Sequence, residues 1–250
     1  MNVRQAVRFV AAALLTAGTV TMGTVVPVAS AEPVPPPAPA PAPAPPCPDI
    51  EVVFARGTTE PPGPGMTGQA FVDALRAQAG DRTVAVYPVN YPASSDFANR
   101  IAFAQTVVDG IKDAGAHIEA TAAACPDTRI VLGGYSQGAV LAGFVTANEI
   151  PDGIPDEYLS YLPNPLPDSV AEHVAAVVLL GKPSNEWLAR YDAPRLTVGP
   201  LYEAKTIDLC APGDSICNGN PGGIPTLEHT LYPVNGMLQE AAAFTVAQLG

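Results

Sequence analysis

The feature that most constrains the fold is a serine placed between an apolar strand pattern and a helix pattern. Residues 129–134, RIVLGG, form a short β-branched run, and a helix is predicted from Gln137 to about Asn148. The sequence GYSQG at 134–138 joins them through a turn so tight that larger side chains would clash at its two glycines. Such a turn lifts the Ser136 hydroxyl clear of the sheet.

The rest of the chain alternates between short apolar runs and helical patterns. Further strands are predicted over residues 50–55, 83–89, 175–181 and 205–209, and helices over residues 66–79, 96–124 and 237–249. Because each strand is apolar along its whole length, both of its faces are expected to be buried. The sequence therefore predicts an α/β fold with a mostly parallel sheet covered by helices on both faces.

The N-terminal 31 residues are typical of a secretory signal peptide. Arg4 and Arg8 precede a weakly polar stretch over residues 9–29, and ASA at 29–31 fits a small-residue cleavage site. An uncleaved membrane anchor is the alternative, because the stretch is just long enough to span a bilayer. Its threonines, glycines and proline dilute the hydrophobicity, so we expect residues 1–31 to be removed on export.

Residues 32–46 form a Pro/Ala-rich linker. They read EPVPPPAPAPAPAPP and hold nine of the 29 prolines of the chain. At about 3.1 Å per residue in the polyproline II conformation, they predict a semi-rigid spacer of about 45 Å. A ligand for a proline-recognition domain is the alternative reading. Residues 47–250 then form one domain of ordinary size.

Four cysteines lie in this domain: Cys47, Cys125, Cys210 and Cys217. An even number in an exported chain predicts two disulfides, for which the sequence allows three pairings. The short separation favours a bond between Cys210 and Cys217, which would leave Cys47 to bond Cys125. A zinc site is not expected, because neither a CxxC pair nor a histidine at ligand spacing accompanies the cysteines.

Charge argues against a nucleic-acid partner. The chain has 12 basic and 24 acidic side chains, a net charge of −12, which becomes −14 without the two arginines of residues 1–31. Phosphate backbones favour the opposite sign. Only 14% of the residues are charged and 48% are hydrophobic, so we expect a large core and an unusually apolar surface.

Serine becomes a strong nucleophile when a histidine accepts its proton and a carboxylate orients that histidine. In folds with this kind of turn, the histidine follows the serine in the chain, which excludes His117. His173 precedes the strand over 175–181, so it lies at the opposite end of a parallel sheet from Ser136. His229 therefore remains as the predicted base.

Two aspartates follow or occupy the last predicted strand. Asp214 lies beyond the strand, inside the loop CAPGDSIC that Cys210 and Cys217 enclose, and fifteen residues before His229. Asp208 lies inside the strand and is the second candidate. We predict Asp214 as the acid, because the short loop would hold it rigidly toward His229.

These residues together resemble a known family. The segments FARGTTEPPG, YPVNYPA, RIVLGGYSQGA, KTIDLCAPGDSIC and EHTLY, in this order and with cysteines at these places, are similar to the cutinase family of serine esterases, above all to its secreted mycobacterial-type members. The resemblance spans essentially all of residues 47–250. It implies a three-layer α/β/α sandwich of the α/β-hydrolase type.

The resemblance also implies roles for particular residues. It implies a catalytic triad of Ser136, Asp214 and His229, disulfides Cys47–Cys125 and Cys210–Cys217, and an oxyanion hole built from the backbone N–H groups of Thr58 and Gln137 with help from the Thr58 hydroxyl. Fungal members usually have serine at the position of Thr58, so the side-chain donor is kept, but its rotamer is stiffer.

We expect a secreted, monomeric carboxylic ester hydrolase without cofactor or metal. Its expected substrates are short-to-medium-chain acyl esters, with lipids or polyesters such as cutin as further candidates, met near a cell envelope or lipid surface. An acetylxylan-type esterase and a catalytically inactive binding protein on the same fold are the alternatives. Residues 150–169 form either an apolar flap, built from Tyr158, Leu159, Tyr161 and Leu162, or a loop that packs these side chains onto the domain.

Overall fold

Five strands form a single, wholly parallel sheet in the order β2-β1-β3-β4-β5. The computed structural model describes residues 46–220 and 224–250. The strands are β1 (Ile50–Ala55), β2 (Val84–Pro88), β3 (Arg129–Tyr135), β4 (Val174–Leu180) and β5 (Thr206–Leu209). The predicted signal segment 1–31 and all of the predicted linker except Pro46 lie outside the described residues.

Helices connect the strands and cover both faces of the sheet, as the sequence predicted. They are α1 (Gly65–Gln78), α2 (Arg100–Ala124), α3 (Gln137–Val145), α4 (Asp156–Leu159), α5 (Asp168–Ala171), α6 (Asn185–Ala189), α7 (Pro200–Glu203) and α8 (Met237–Gln248), with a 3₁₀ turn over Leu227–Thr230. The short helix α4 lies within the segment 150–169, predicted as a flap or a packed loop, and α5 begins at the end of that segment.

Helix α3 ends three residues before its predicted end at Asn148. The Thr146 hydroxyl donates to the Gly143 carbonyl at 2.6 Å, a local bond that competes with the regular helix pattern. The Thr146 carbonyl accepts a hydrogen bond from the Gly199 N–H at 3.1 Å instead of from a later turn of the helix. The helix therefore ends where the Thr146 carbonyl bonds to a distant loop.

The sheet divides the hydrophobic core into two parts. On one face, alternate strand residues such as Val53, Leu132 and Val177 pack with residues of α2 and α3. On the other face, residues such as Val52 and Val178 pack with residues of α1 and α8. Burial on both faces explains why β3 and β4 are apolar along almost their whole length. The expectation does not hold for the two outer strands, because β2 is only half-buried and β5 carries the exposed Asp208.

The strand order places the candidate residues at the carboxyl ends of neighbouring strands. From β1, the chain first adds β2 on one side and later adds β3, β4 and β5 on the other, so the order reverses between β1 and β3. In open parallel sheets, binding crevices form at such a point, beyond the carboxyl ends of the strands. Thr58 follows β1 and Ser136 follows β3, so the topology places both beside this crevice.

Both predicted disulfides are present. Cys47 bonds Cys125, which ties the beginning of the domain to the end of α2, and Cys210 bonds Cys217 across a seven-residue separation. Loops closed by such bonds lower the entropy of the unfolded chain. Across residues 46–220 and 224–250, we find no helix with both the length and the apolar character needed to cross a bilayer.

Two glycine-to-alanine substitutions should change the free energy of unfolding in opposite directions, because one introduces a steric clash and the other only improves helix propensity. A Cβ at Gly138 would lie 2.0 Å from the Ala55 carbonyl oxygen, whereas a Cβ at Gly115 would meet only Leu166, at an ordinary 3.5 Å. We expect Gly138→Ala to lower the free energy of unfolding by about 3 kcal/mol or more. Gly115→Ala should raise it by up to about 1 kcal/mol, because alanine favours helix. Urea unfolding of both variants tests this, and equal stabilities would contradict the steric argument.

Candidate active site

The turn after β3 holds Ser136 in a rare backbone conformation. Its φ of 54° and ψ of −117° lie in a region that side chains disfavour, at a cost on the order of 1–3 kcal/mol. A Cβ at Gly134 would lie 2.1 Å from the Gly138 carbonyl oxygen, and a Cβ at Gly138 would lie 2.0 Å from the Ala55 carbonyl oxygen. The backbones approach so closely that only glycine fits at either position, as predicted.

The structure brings Ser136, His229 and Asp214 together, as predicted. His229 Nε2 lies 2.9 Å from Ser136 Oγ, and His229 Nδ1 lies 2.7 Å from Asp214 Oδ2. Ser136 follows β3, Asp214 lies in the loop after β5, and His229 lies in the 3₁₀ turn. The two ring nitrogens of one imidazole therefore link a hydroxyl to a carboxylate in a continuous hydrogen-bonded line.

Asp214 is a fully buried carboxylate with several donors. Its side chain is 0% exposed, and Oδ1 accepts a hydrogen bond from the Ile216 N–H at 3.0 Å. Oδ2 accepts from the Tyr232 hydroxyl at 2.9 Å as well as from His229. Burial alone would raise the pKa of Asp214, but the hydrogen bonds and charge of His229, with the Ile216 and Tyr232 donors, lower it below its ordinary value. Asp214 is therefore ionised at neutral pH.

The loops that carry Asp214 and His229 are bonded to each other. The Thr226 hydroxyl donates to the Gly213 carbonyl at 3.0 Å, and the Ser215 N–H donates to the Thr226 hydroxyl at 3.4 Å. The Ser215 hydroxyl donates to the Ile224 carbonyl. With Cys210–Cys217 closing the Asp214 loop, these bonds fix the distance between the carboxylate and the imidazole.

The other candidates lie elsewhere. Asp208, the second candidate for the acid, lies on β5 and pairs with Lys182 Nζ at 3.2 Å. His117 lies on α2, 3.0 Å from Glu51 Oε2. His173 comes just before β4, at the end of the sheet opposite Ser136, as the sequence predicted. Among the three histidines, only His229 is hydrogen-bonded to Ser136.

Thr58 and Gln137 both border the crevice beside Ser136. Within the described residues, no protein acceptor lies within hydrogen-bond distance of the backbone N–H of Thr58 or of Gln137, so both donors remain available to a ligand. The Gln137 side chain is turned away and donates from Nε2 to the Ser94 carbonyl at 3.1 Å. The geometry thus suits an anionic oxygen placed next to Ser136 Oγ.

The loop that carries Thr58 is held by a network that sequence reasoning missed. The Glu60 carboxylate accepts hydrogen bonds from the Gly57 N–H at 2.6 Å and from the Met66 N–H at 2.7 Å. Arg56, buried behind the loop, donates to the Glu60 carbonyl at 2.8 Å and to the Tyr91 carbonyl at 2.5 Å. These bonds fix the loop before any ligand binds. The segment FARGTTE contains three of these residues, but their mutual bonding is visible only in the fold.

Two tyrosines of the site were also missed. The Tyr232 hydroxyl donates to Asp214 and accepts from the Ala211 N–H at 2.9 Å, so it joins the carboxylate to the loop backbone. The Tyr135 hydroxyl donates to the His229 carbonyl, and its ring lies 5.2 Å from the imidazole. Tyr135 lies directly before Ser136 in GYSQG, and Tyr232 lies three residues after His229. Neither position indicates a role in the site from the sequence alone, because the role depends on hydrogen bonds that only the fold creates.

A groove of about 1760 Å³ opens beside Ser136 and His229. Tyr158, Tyr161 and Leu162 of the predicted flap line it, and the Tyr161 hydroxyl donates to Asp109 of α2 at 2.5 Å. Leu159 is 39% exposed. The segment therefore packs onto the domain, as one of the two alternatives predicted, and it also lines the groove. Its opening as a flap stays a prediction.

One group of side chains in the described residues has spacing suited to a metal: Cys210, Asp214 and Cys217. Both sulfurs are bonded to each other, and the carboxylate is occupied by three donors. A cysteine binds a metal as its thiolate, so this group does not suit a metal while the disulfide is intact.

Replacing Tyr232 with phenylalanine should make stability less dependent on the charge of Asp214. The folded pKa of Asp214 lies below its unfolded value of about 3.9, so the ionised group stabilises the fold above that pH and loses this contribution as the pH falls through the folded pKa. Tyr232→Phe removes one donor and raises that pKa. We expect the free energy of unfolding to fall by about 1.5–3 kcal/mol at neutral pH, and the deficit to narrow below about pH 4.

The matched control is Tyr135→Phe. It removes a hydrogen bond to the His229 carbonyl, which does not titrate, so its deficit should stay nearly constant over the same pH range. Urea unfolding at a series of pH values measures both. A Tyr232→Phe deficit that does not change with pH would contradict this account of Asp214.

Comparison with known proteins gives a consistent result. Residues 46–249 match the family model described as Cutinase. The chain is 50% identical over 173 residues to the probable carboxylesterase Culp7 of Mycobacterium tuberculosis, covering 69% of this chain and 89% of the relative. It is 45% identical over 206 residues to the carboxylesterase Culp1 of Mycobacterium bovis, covering 82% and 83%.

Two solved structures from Trichoderma reesei are similar. The cutinase in complex with a C11Y4 phosphonate inhibitor has a TM-score of 0.58 and 31% identity, with 82% of this chain and 78% of that chain covered. The catalytic core domain of acetyl xylan esterase has a TM-score of 0.60 and 27% identity, with 81% and 99% covered. The match over nearly all of the folded domain and the identity to carboxylesterases agree with the geometry around Ser136: the chain belongs to the cutinase family of serine carboxylester hydrolases.

Proposed function

We propose that Ser136, His229 and Asp214 are the catalytic triad of a secreted hydrolase of acyl esters. The observation that carries the proposal is the line of hydrogen bonds from Asp214 through His229 to Ser136 Oγ, with distances of 2.7 and 2.9 Å. Each group occupies the position that its role requires: a partly exposed nucleophile at a turn, an imidazole between two partners, and a buried carboxylate.

The first half of the reaction forms an acyl-enzyme. His229 Nε2 accepts the proton of the Ser136 hydroxyl while Oγ attacks the ester carbonyl carbon. The carbonyl oxygen becomes an oxyanion, which accepts hydrogen bonds from the Gln137 and Thr58 N–H groups and from the Thr58 hydroxyl. When the carbonyl reforms, the bond to the alcohol oxygen breaks, and the alcohol leaves with the proton that His229 held.

The second half releases the acid. Water gives a proton to His229 and attacks the acyl carbon, the oxyanion forms in the same place, and its collapse returns the proton to Ser136 Oγ. Asp214 stays ionised throughout. It holds the proton of Nδ1 and so keeps Nε2 free to accept, and it stabilises the imidazolium that forms twice in each cycle.

The substrate class follows from the groove and the relatives. Two relatives are named carboxylesterases, and the similar structures are a cutinase and an acetyl xylan esterase. Acyl esters, including lipids or polyesters, are favoured over acetyl esters of polysaccharides because the groove is walled largely by apolar side chains such as Phe97, Val108 and Leu162. A chain-length profile confined to acetyl esters would support the acetylxylan-type alternative.

Secretion is part of the proposal. The N-terminal pattern of residues 1–31 supports export, and two disulfides without a free cysteine among the described residues fit an oxidising compartment. After removal of residues 1–31, the linker 32–46 would be an N-terminal extension of the domain, which we propose acts near an envelope or lipid surface. The net charge of −12 disfavours nucleic acid as a partner. We propose that the enzyme acts as a monomer.

Labelling with a fluorophosphonate probe tests the nucleophile. The probe reacts with a serine that an imidazole activates, so the wild type should be labelled and should hydrolyse a butanoyl ester, whereas Ser136→Ala should do neither. Ser95→Ala is the matched control, because Ser95 also lines the groove but has no histidine partner. Wild-type protein that is folded but unlabelled would favour the inactive binding protein and sink the esterase proposal.

Substitution of Thr58 tests the oxyanion donor. Thr58→Val keeps the β-branched shape and the backbone N–H but removes the hydroxyl, so kcat should fall by about 10²-fold with little change in KM. Thr59→Val, one residue on, makes the same change at an exposed threonine that also borders the groove, and it should keep the wild-type kcat. Steady-state kinetics with a butanoyl ester measures both. Equal kcat values for the two variants would mean that the backbone donors suffice.

A further inference from the structure

We propose that Glu60 is a positioning residue for the oxyanion: it fixes the turn 57–60 so that the backbone N–H of Thr58 stays open to the groove. We call residues 57–60 the oxyanion turn. Thr58 borders the groove, and Glu60 lies two residues further along the chain. This inference rests on the proposed function and assigns to it a residue outside the triad and the two donors.

The hydrogen bonds of the oxyanion turn leave one backbone N–H unused. The Gly57 N–H donates to Glu60 Oε2 at 2.6 Å, and the Glu60 N–H donates to the Gly57 carbonyl at 3.2 Å. The Thr59 N–H donates to the Ala93 carbonyl at 2.8 Å. In the part of the chain that the structure describes, only the Thr58 N–H of this turn has no protein acceptor. The donor that the proposed mechanism needs is thus the one that the fold leaves free.

The two bonds between Glu60 and Gly57 also set the direction of the free N–H. In a trans peptide group, the C=O and the N–H point in opposite directions. The Gly57 carbonyl faces the Glu60 N–H inside the turn, so the Thr58 N–H of the same peptide group is directed out of the turn. The Glu60 carboxylate holds the preceding peptide group by its N–H. Glu60 therefore restrains both peptide groups that flank Gly57.

The oxyanion turn has a shape that needs such restraint. Thr59 has a φ of 61°, in the left-handed region that β-branched residues rarely adopt. Ala93, which accepts its N–H, has a φ of 49° and is buried. The next carbonyl, that of Ser94, accepts a hydrogen bond from Gln137 Nε2 at 3.1 Å. Residues 93 and 94 thereby join the turn to the residue that carries the second proposed donor.

Glu60 is itself anchored to the domain on two sides. Its Oε1 accepts a hydrogen bond from the Met66 N–H in the first turn of α1 at 2.7 Å, and its carbonyl accepts one from Arg56 Nε at 2.8 Å. A Cβ at Gly65 would lie 2.2 Å from Glu60 Oε2, so the carboxylate occupies space that only a glycine leaves open. The turn is therefore fixed to a 14-residue helix as well as to β1.

The charge of Glu60 would by itself oppose the reaction. A carboxylate near an oxyanion destabilises it by repulsion between like charges. The charge is felt at the site, because Glu60 is, after burial, the next cause of the raised pKa of Tyr135, which directly precedes Ser136. The buried Arg56 guanidinium beside the Glu60 carbonyl offsets part of this charge. Loss of the charge alone would favour the oxyanion, whereas loss of the turn geometry would weaken its donors.

The substitution Glu60→Gln tests the inference in the full chain. The amide keeps one acceptor oxygen but presents an NH₂ group to the other backbone N–H, so the turn loses part of its restraint. We expect kcat for a butanoyl ester to fall by about 10²-fold with KM nearly unchanged, as when one oxyanion donor is lost. The inhibition constant of an alkyl trifluoromethyl ketone, which forms an oxyanion on Ser136, should rise by a similar factor. The pH of half-maximal kcat should stay at its wild-type value.

Asp49→Asn is the matched control. Asp49 Oδ2 accepts a hydrogen bond from the Thr83 N–H at 2.7 Å, just before β1 and so at the opposite end of that strand from Glu60. The same change from acid to amide should leave kcat and the inhibition constant at their wild-type values. Circular dichroism shows whether both variants are folded.

A double-mutant cycle tests whether Glu60 acts through Thr58. Thr58→Val should lower kcat by a smaller factor in the Glu60→Gln background than in the wild type, because the displaced turn has already weakened the Thr58 donors. Tyr91→Phe is a second, milder variant of the same restraint. The Tyr91 hydroxyl donates to the Arg56 carbonyl, at the other end of the peptide group whose N–H Glu60 binds. Its kcat should fall by about tenfold, since one of the two bonds remains.

The outcomes separate this inference from the proposed function. If folded Glu60→Gln keeps the wild-type kcat, or if Thr58→Val has the same effect in both backgrounds, the inference is wrong and the esterase stands. A raised kcat, or a shifted pH profile with an unchanged maximum, would show that Glu60 acts through its charge and would also contradict it. If Glu60→Gln does not fold, Tyr91→Phe decides by the same measurements. Absence of Ser136-dependent turnover in the wild type would instead defeat the proposed function.

Discussion

The structure depends on the close approach of three backbone segments around Ser136. The carbonyl of Ala55 at the end of β1, the first turn of α3 and the end of β3 meet at distances that leave no space for a side chain at Gly134 or Gly138. This packing holds Ser136 at a φ of 54°, which an isolated turn would not keep. The Ser136 N–H still donates to the Leu180 carbonyl at 2.8 Å, so β4 extends the sheet to the turn and helps to compensate for the strain.

Around this fixed point, each partner of Ser136 is held by its own short-range bonds. Asp214 is buried with three donors, and the disulfide Cys210–Cys217 closes its loop. Thr58 lies on a loop that is held by internal hydrogen bonds of Glu60 and Arg56. Because a buried charge needs such partners to stay ionised, the same contacts that hold the loops also keep the site ready for reaction. The same bonds therefore stabilise the loops and position the proposed catalytic groups.

The sequence predicted those parts of the fold and site that local pattern or chain order determines. Apolar runs placed all five strands, GYSQG placed the turn, and the position of Asp214 beyond β5 separated it from Asp208. The contacts of Tyr232 with Asp214 and of Arg56 with Tyr91 were missed, because each joins residues that only the tertiary fold brings together. The sequence also left open whether residues 150–169 pack onto the domain, because the bonded residues Tyr161 and Asp109 are 52 residues apart.

A crystal structure of the enzyme with a long-chain alkyl phosphonate bound to Ser136 tests the central claim most directly, since the phosphoryl oxygen stands in for the oxyanion of the reaction. The account predicts that this oxygen lies within hydrogen-bond distance of the Gln137 N–H and of Thr58, that His229 stays bonded to Asp214, and that the alkyl chain runs beside Val108 of α2. A phosphoryl oxygen that faces solvent, with both N–H groups unengaged, would contradict it.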